Sequence, residues 1–115
     1  MKIDGEGELL RVFIGESDRW HGQPLSEAIV RRARELGLAG ATVLRGLEGF
    51  GAHSRIHTSS ILRLSQDLPI VVEIVDQRDR IEAFLPVLDE MVHEGMITVE
   101  KVRVIAYREG RQRTP

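Results

Sequence analysis

Two segments of similar length each contain a strand pattern, a helix pattern and a second strand pattern, and this repetition constrains the fold most. In the second segment, the run IVVEIV at 70–75 is apolar and β-branched. Ile97 to Tyr107 reads as the closing strand. Between them, apolar residues recur at helical spacing: Ile81, Phe84, Leu85, Leu88 and Val92. The order within this segment is therefore β-α-β.

The first segment has the same order. Leu9 to Ile14 alternates as a short strand that ends at Gly15, with Leu10, Val12 and Ile14 on one face. Pro24 is expected as the first residue of a helix of about 13 residues that stops at Gly37. Thr42 to Arg45 is the second strand.

Three residues set expectations for the second helix. Asp76 is the predicted N-cap, and Asp79 falls in the first turn, where negative charge favours the helix dipole. Pro86 interrupts the helical pattern, which predicts a kink or a two-part helix.

Two β-α-β units joined by a polar loop predict an α+β, ferredoxin-like βαββαβ fold. In that fold, a four-stranded antiparallel sheet carries both helices on one face. Apolar residues also occur in the other strand register, at Val71, Val75, Ile105 and Tyr107. A second apolar sheet face favours oligomerisation through the sheets.

Composition narrows the class of protein. With 115 residues and 42% apolar content, the chain forms one domain, residues 1–115. The net charge of −2 does not favour a nucleic-acid partner, and the absence of cysteine excludes disulfides, thiolate metal sites and cysteine nucleophiles. No apolar run approaches about 20 residues, and the start MKIDGEGE does not resemble a signal peptide. We expect a cytoplasmic protein.

The stretch RGLEGFGAHSRIHTSS at 45–60 concentrates glycine, histidine, arginine and hydroxyl side chains. It could form a catalytic pocket, a phosphate cradle or a mobile recognition loop, and its glycines alone also fit a bulged strand and turn. His53 and His57 are four residues apart, as metal ligands on a helix would be, but no third ligand is evident. Histidine and serine could also serve a hydrolase, yet a short polar loop supports catalytic geometry poorly, so we predict no catalytic residues and no enzyme.

Two segments in or near the first helix are expected to have structural and not ligand-binding roles. Trp20 and His21 follow the first strand; packing against the neighbouring helix is favoured over stacking on a base. The charge run from Arg31 to Glu35 is expected to be a solvated helix face.

Three runs carry a resemblance to a known family: GLAGATVLRGLEGFG at 37–51, LPIVVEIVD at 68–76 and EGMITVEKV from Glu94. They resemble the PII-like proteins of domain of unknown function 190, over roughly Leu9 to Tyr107. More distantly, the chain is similar to the PII signal transducers. Those are ferredoxin-like trimers that bind adenine nucleotides between subunits and engage a target through a long loop between the second and third strands.

The resemblance implies particular site residues. Gly49, Phe50 and Gly51 match the Gly-Phe-Gly that closes the second strand of PII proteins beside the nucleotide, where glycine lets backbone N–H groups approach phosphate. The segment 52–60 would then be the mobile loop. Within it, His53 and Arg55 would reach the ligand or the partner, and the partner-binding residues are expected to be Arg55, His57 and Ser59.

The basic residues of the PII site have weaker counterparts. Thr98 to Lys101 is compared with the Gly-Asp-Gly-Lys turn before the last strand, and it keeps the lysine without either glycine. Arg111 and Arg113 stand where PII proteins carry an Arg-x-Arg pair, in the tail 108–115 beyond a core of about 9–107. Lys101, Arg111 and Arg113 complete the predicted ligand set.

The function implied is that of a homotrimeric regulatory protein. It would have no resident cofactor or metal, would bind a small anionic effector, most plausibly an adenine nucleotide, and would regulate a partner such as a membrane channel or transporter. Two alternatives stay open: a ligand-free trimeric adaptor, and a metal sensor that uses His53 and His57.

Overall fold

The computed structural model describes residues 5–51, 57–58 and 67–110. Six longer elements occur in this part of the chain: β1 (Glu6–Gly15), α1 (Leu25–Glu35), β2 (Thr42–Arg45), β3 (Pro69–Asp76), α2 (Arg78–Met91) and β4 (Met96–Arg103). Two-residue ladders also pair Arg19–Trp20 with Gln23–Pro24 and Glu48–Gly49 with His57–Thr58.

The four long strands form one sheet in the order β2-β3-β1-β4, and all neighbouring pairs are antiparallel. β1 lies inside the sheet, pairing with β3 from Glu8 opposite Asp76 to Gly15 opposite Pro69. One helix follows β1 and the other follows β3. This is the ferredoxin-like α+β arrangement, and the predicted fold class is confirmed.

Both helices cover the same face of the sheet. Alternate residues of β1 and β3 point toward the helices and are buried, including Leu10, Val12, Val72 and Ile74. They pack against apolar residues of α1 and α2 in one cluster that contains Ile29, Ala33, Ile81, Phe84 and Leu88. Because all of this core lies on one side, the other sheet face has no cover within the described part of the chain.

α1 ends where the sequence predicts. Gly37 has φ +79°, in the left-handed region, and its N–H donates to the Arg34 carbonyl at 3.0 Å. The Leu38 N–H donates to the Ala33 carbonyl at 3.0 Å, which completes a Schellman motif. The helix has 11 residues instead of about 13, and Pro24 immediately precedes it instead of being its first residue.

Two expectations for α2 need correction. The helix runs without interruption through Pro86, so a two-part helix is wrong, while a kink at the proline stays a prediction. Phe84 and Leu88, on either side of the proline, are both buried in the core and hold the helix to the sheet. The N-cap is Gln77 and not Asp76. Asp76 is the last residue of β3, where its carboxylate is fully buried.

The last strand is shorter than predicted. β4 ends at Arg103 and not at Tyr107, because its ladder partner β1 begins at Glu6, opposite Arg103. Thr98 to Lys101 lies within β4 and is not the turn before it, so the position expected for Lys101 is also wrong.

Neither helix of the described residues is long enough to cross a bilayer. They contain 11 and 14 residues, whereas a span needs about 20.

Candidate functional site

A cavity of about 490 Å³ lies at the end of β1 where four chain segments meet. These are the end of β1 with its following turn, the segment after Glu48–Gly49, the start of β3, and the turn before β4. The residues that line it are Phe13, Ile14, Gly15, Asp18, Phe50, Gly51, Asp67, Pro69, Glu94, Gly95 and Met96. A volume of this size suits a small-molecule ligand.

Glycines fix the wall that contains Phe50 and Gly51. A Cβ on either Gly46 or Gly49 would come within 2.9 Å of the Pro69 ring, and Gly49 has φ +155°. The Gly46 N–H also donates to the Pro69 carbonyl at 2.7 Å. The turn that follows β2 is therefore held against the start of β3, and this contact places the next two residues at the mouth of the cavity.

Gly95 fixes the opposite wall. Its φ is +144°, and a Cβ at this position would lie 2.3 Å from the backbone oxygen of Phe13. The turn before β4 can therefore lie directly on the end of β1 only because residue 95 has no side chain.

Two carboxylates at the base of the cavity hold the turn after β1. Asp18 accepts a hydrogen bond from the Gly15 N–H at 2.9 Å, and Asp67 accepts one from the Ser17 N–H at 2.8 Å. The Glu16 N–H donates to the Leu68 carbonyl at 2.9 Å. These bonds tie the turn to the segment before β3 and make this corner of the site rigid.

The described lining is acidic. Asp18, Asp67 and Glu94 contribute carboxylates, and no lysine or arginine lines the cavity among the residues that the structure describes. Arg45 lies on the neighbouring strand and pairs with Glu16 at 2.7 Å. Positive charge for an anionic ligand would therefore have to come from outside this lining.

The cavity borders the uncovered face of the sheet. Phe13 and Met96 are cross-strand partners that lie on this face, and both also line the cavity. Further apolar side chains on the same face belong to three strands: Leu9, Leu44, Val71 and Val75. The expectation that apolar residues occupy both sheet faces is confirmed for the strand residues Val71 and Val75.

A charged cluster sits among these apolar side chains. Arg11 donates to Glu73 at 2.8 Å and to Glu100 at 3.0 Å. The hydrogen bond to Glu73, and to a lesser extent the charges of Glu73 and Glu100, raise the pKa of Arg11 above its ordinary value. Arginine is charged throughout the neutral range at its ordinary pKa, so on the open face its positive charge is compensated by the carboxylates of Glu73 and Glu100.

Three residues predicted for the ligand site lie together. Phe50 and Gly51 line the cavity, and Gly49 lies immediately behind them against Pro69. They do not close β2, which ends at Arg45; Gly49 instead pairs with His57 in a short ladder. The side chain of Phe50 is 67% exposed, so one of its faces is open to a ligand or a second subunit.

The remaining predicted residues are not brought to the cavity by the described part of the chain. Lys101 lies five residues along β4 from Met96, about 16 Å at the usual strand rise, and is opposite Glu8. His53, Arg55, Ser59, Arg111 and Arg113 lie outside the described residues, and only the backbone of His57 is described.

Sequence reasoning missed the acidic lining and Gly95. The signal for Gly95 was a lone glycine between a helix pattern and a strand pattern, and the local pattern does not reveal its close contact with β1. Asp18 and Asp67 are 49 positions apart in polar segments, and only the antiparallel pairing of Gly15 with Pro69 brings them to the same corner.

Comparison with known proteins identifies the family. The model of the DUF190 family, described as an uncharacterized ACR, matches residues 7–104. The chain belongs to the DUF190 family. A UPF0166 protein of Aquifex aeolicus (strain VF5) is 40% identical to this DUF190 chain over 98 residues, covering 85% of this chain and 92% of the relative.

Solved structures agree on the fold. A protein of Thermus thermophilus described as a putative PII-like signaling protein matches the DUF190 chain with a TM-score of 0.64 and 20% identity, over 88% of this chain and 91% of that one. CPII of Thiomonas intermedia K12, solved with ADP and bicarbonate, matches with a TM-score of 0.56 and 18% identity, over 86% of this chain and 88% of that one. The predicted resemblance to PII-like proteins is confirmed.

Proposed function

We propose that this DUF190 protein is a homotrimeric PII-like sensor that binds an adenine nucleotide between subunits. The observation that carries the proposal is the position of the cavity. It is built from the Gly49–Gly51 segment and the turn before β4, and it borders the apolar open face of the sheet. A second subunit packed on that face would lie beside the cavity and add to its wall.

The ligand class is supported by a structural relative. CPII, which has the same fold, was solved with ADP and bicarbonate. In the present chain, the exposed ring of Phe50 offers a stacking surface for a base, and Gly51 lines the cavity beside it. The nucleobase is therefore assigned to the Phe50 side of the cavity.

The charge of the cavity lining indicates which residues would bind the phosphates of the proposed nucleotide. Because the described lining has three carboxylates and no basic side chain, the proposal assigns phosphate binding to His53, Arg111 and Arg113, from the same or a neighbouring subunit. Lys101 lies far along β4 from the cavity of its own chain, so it would join this set only from a neighbouring subunit.

The regulatory output is assigned to the segment 52–60. Arg55, His57 and Ser59 would contact the partner, which we propose to be a membrane channel or transporter approached from the cytoplasm. A segment that orders when effector binds can transmit occupancy without any catalytic step. Alanine at Arg55 should weaken partner binding while the oligomer stays intact.

A thermal-shift panel tests ligand binding. The purified protein is heated with AMP, ADP, ATP, cyclic AMP, cyclic di-AMP or bicarbonate, and a ligand of the folded state must raise Tm in a saturable way. Phe50→Ala should weaken the nucleotide response roughly 5- to 150-fold in Kd, since stacking of a base on an aromatic is worth about 1–3 kcal/mol. Leu47→Ala removes an equally exposed apolar side chain outside the cavity and should leave the response unchanged.

One observation favours a second candidate. A lining with Asp18, Asp67 and Glu94 and no described basic residue also suits a ligand-free trimeric adaptor, whose cavity never meets an anion. The adaptor predicts no shift with any nucleotide. Metal sensing through His53 and His57 predicts instead a shift with zinc that a chelator reverses.

A further inference from the structure

A second cavity, separate from the candidate site, lies between the outer surfaces of the two helices. Its volume is about 360 Å³, within the range of small-molecule sites. We call it the interhelical groove, and it is lined by Trp20, Gln23, Ala28, Arg31, Arg32, Glu35, Pro86, Val87, Glu90 and Met91. It lies on the side of the sheet opposite the open face, so the proposed trimer would leave it accessible.

The helical repeat explains how the two walls form. On α1, Ala28, Arg31, Arg32 and Glu35 follow a spacing of three or four residues and so share one face. Pro86, Val87, Glu90 and Met91 do the same on α2. Ala28 has no side chain beyond Cβ, which leaves space between the helices, while the buried thioether of Met91 forms the apolar floor.

An apolar surface lies at one end of the groove. Trp20 is half-buried against the core, and its indole stacks on the His21 ring with centroids 4.2 Å apart and planes 13° from parallel. Packing against the neighbouring helix was expected for Trp20, and the structure shows it partly buried against the core cluster that includes Leu25, Ala28 and Ile29 of α1. Pro86 and Val87 face the groove from α2. A ligand with an aliphatic or aromatic side chain would find apolar contacts here.

The interhelical groove contains equal numbers of positive and negative side chains, but not all of them form ion pairs. Two arginines and two glutamates give a formal sum of zero, and Arg32 pairs with Glu35 on the same helix at 3.2 Å. Among the described residues, neither Arg31 nor Glu90 has a hydrogen-bond or ion-pair partner, although both line the same cavity. One uncompensated cation therefore stands on α1 and one uncompensated anion on α2.

We propose that the interhelical groove binds a small zwitterion with an apolar side chain, namely a free L-α-amino acid. The ligand carboxylate would accept hydrogen bonds from the Arg31 guanidinium, its ammonium would donate to the Glu90 carboxylate, and its side chain would pack against Trp20 and Met91. An anion without an ammonium group would leave the Glu90 carboxylate unpaired, whereas a zwitterion satisfies both walls. The charge run of α1 would then be a binding surface and not only a solvated face.

Trp20 reports on this groove directly because it is the only tryptophan in the sequence. Its fluorescence is followed while the full chain is titrated with L-leucine, L-methionine or L-phenylalanine. We expect a saturable change with at least one of them. The corresponding single-charge analogues of leucine, 3-methylbutylamine and 4-methylpentanoate, should bind at least about tenfold more weakly, because each leaves one charged group of the groove unpaired.

Substitutions locate the site. Arg31→Gln and Glu90→Gln should each weaken binding at least about tenfold. Arg34→Gln and Asp89→Asn, at exposed positions of the same helices outside the groove, should leave it unchanged. The proposal is overturned by no saturable response to any of the three amino acids, by equal affinity for the single-charge analogues, or by unchanged affinity in both groove variants. None of these outcomes depends on whether the protein binds a nucleotide.

Discussion

At the scale of single residues, close backbone contacts shape the candidate site. Gly95 allows the turn before β4 to lie on the end of β1, and Gly46 and Gly49 allow the turn after β2 to lie on Pro69. The functional reason for these glycines is therefore geometric. They bring Phe50 and Met96 to the same cavity, although the two residues lie 46 positions apart in the chain.

Gly95→Ala should destabilise the fold. The new Cβ would lie 2.3 Å from the Phe13 carbonyl oxygen. The alanine backbone would also have to keep φ near +144°, which L-residues rarely adopt. Such strain costs about 1–3 kcal/mol. Urea denaturation at a fixed protein concentration should show this loss in the free energy of unfolding. Gly40→Ala is the control, because a Cβ there meets nothing within 4 Å. Equal stability of the two variants would contradict the assigned role of Gly95.

Asp76 is a structural residue at the other end of the sheet. Its buried carboxylate accepts hydrogen bonds from the Ala39 N–H at 2.9 Å, the Gln77 N–H at 2.6 Å and Arg80 at 3.3 Å. It thereby connects the end of β3, the start of α2 and the loop after α1.

Asp76→Ala should therefore lower the free energy of unfolding by roughly 2–5 kcal/mol, since it removes the buried carboxylate that accepts from three partly buried donors. Thermal or urea denaturation measures the loss, with Asp89→Ala as an exposed-carboxylate control. A change within about 0.5 kcal/mol, as is usual for surface substitutions, would show that the network does not stabilise the fold.

At the scale of elements, the sequence predicted the strands and helices that carry a clear period. Leu10, Val12 and Ile14 revealed β1, and Gly37 marked the end of α1, because local chemistry determines both features. The end of β4 could not be predicted in this way. The apolar pattern continues to Tyr107, but the ladder stops where β1 begins, and that limit depends on a residue almost 100 positions away.

The same reason explains the misplacement of Lys101. Its match to a turn motif rested on local order in the chain, whereas the structure shows that the turn before β4 contains Glu94 and Gly95. The family resemblance, and not composition, singled out the Gly49–Gly51 segment; Phe50 and Gly51 line the cavity, and their role in ligand binding stays a prediction. From composition alone, residues 49–51 would have been interpreted only as a turn.

The open sheet face should be the interface of the oligomer. Val75→Lys places a charge among Leu9 and the other apolar residues of this face and should yield a folded monomer. Size-exclusion chromatography with light scattering measures the mass, and circular dichroism checks the fold. Val43→Lys is the matched control, since Val43 is similarly exposed but lies opposite Val72, on the helix side of the sheet. An oligomer that persists in the Val75 variant would exclude this face.

At the scale of the whole molecule, the two sides of the sheet have different tasks. In the proposed trimer, the open face would be the interface and a neighbouring subunit would complete the cavity at its border, while the interhelical groove lies on the helix side of the sheet, away from that interface. In the proposed trimer, nucleotide binding requires neighbouring subunits, and amino-acid binding in the groove does not. The two sites can therefore be separated experimentally by oligomeric state.

Isothermal titration of ADP into wild-type protein and into Val75→Lys tests most directly whether subunits share the nucleotide site. We predict saturable binding at one ADP per chain in the wild-type oligomer, and binding weakened at least about tenfold in the folded monomer, where Phe50 and Gly51 are intact but the neighbouring wall is missing. Equal affinity in the monomer, or no binding by the wild-type protein, would contradict a nucleotide site completed between subunits.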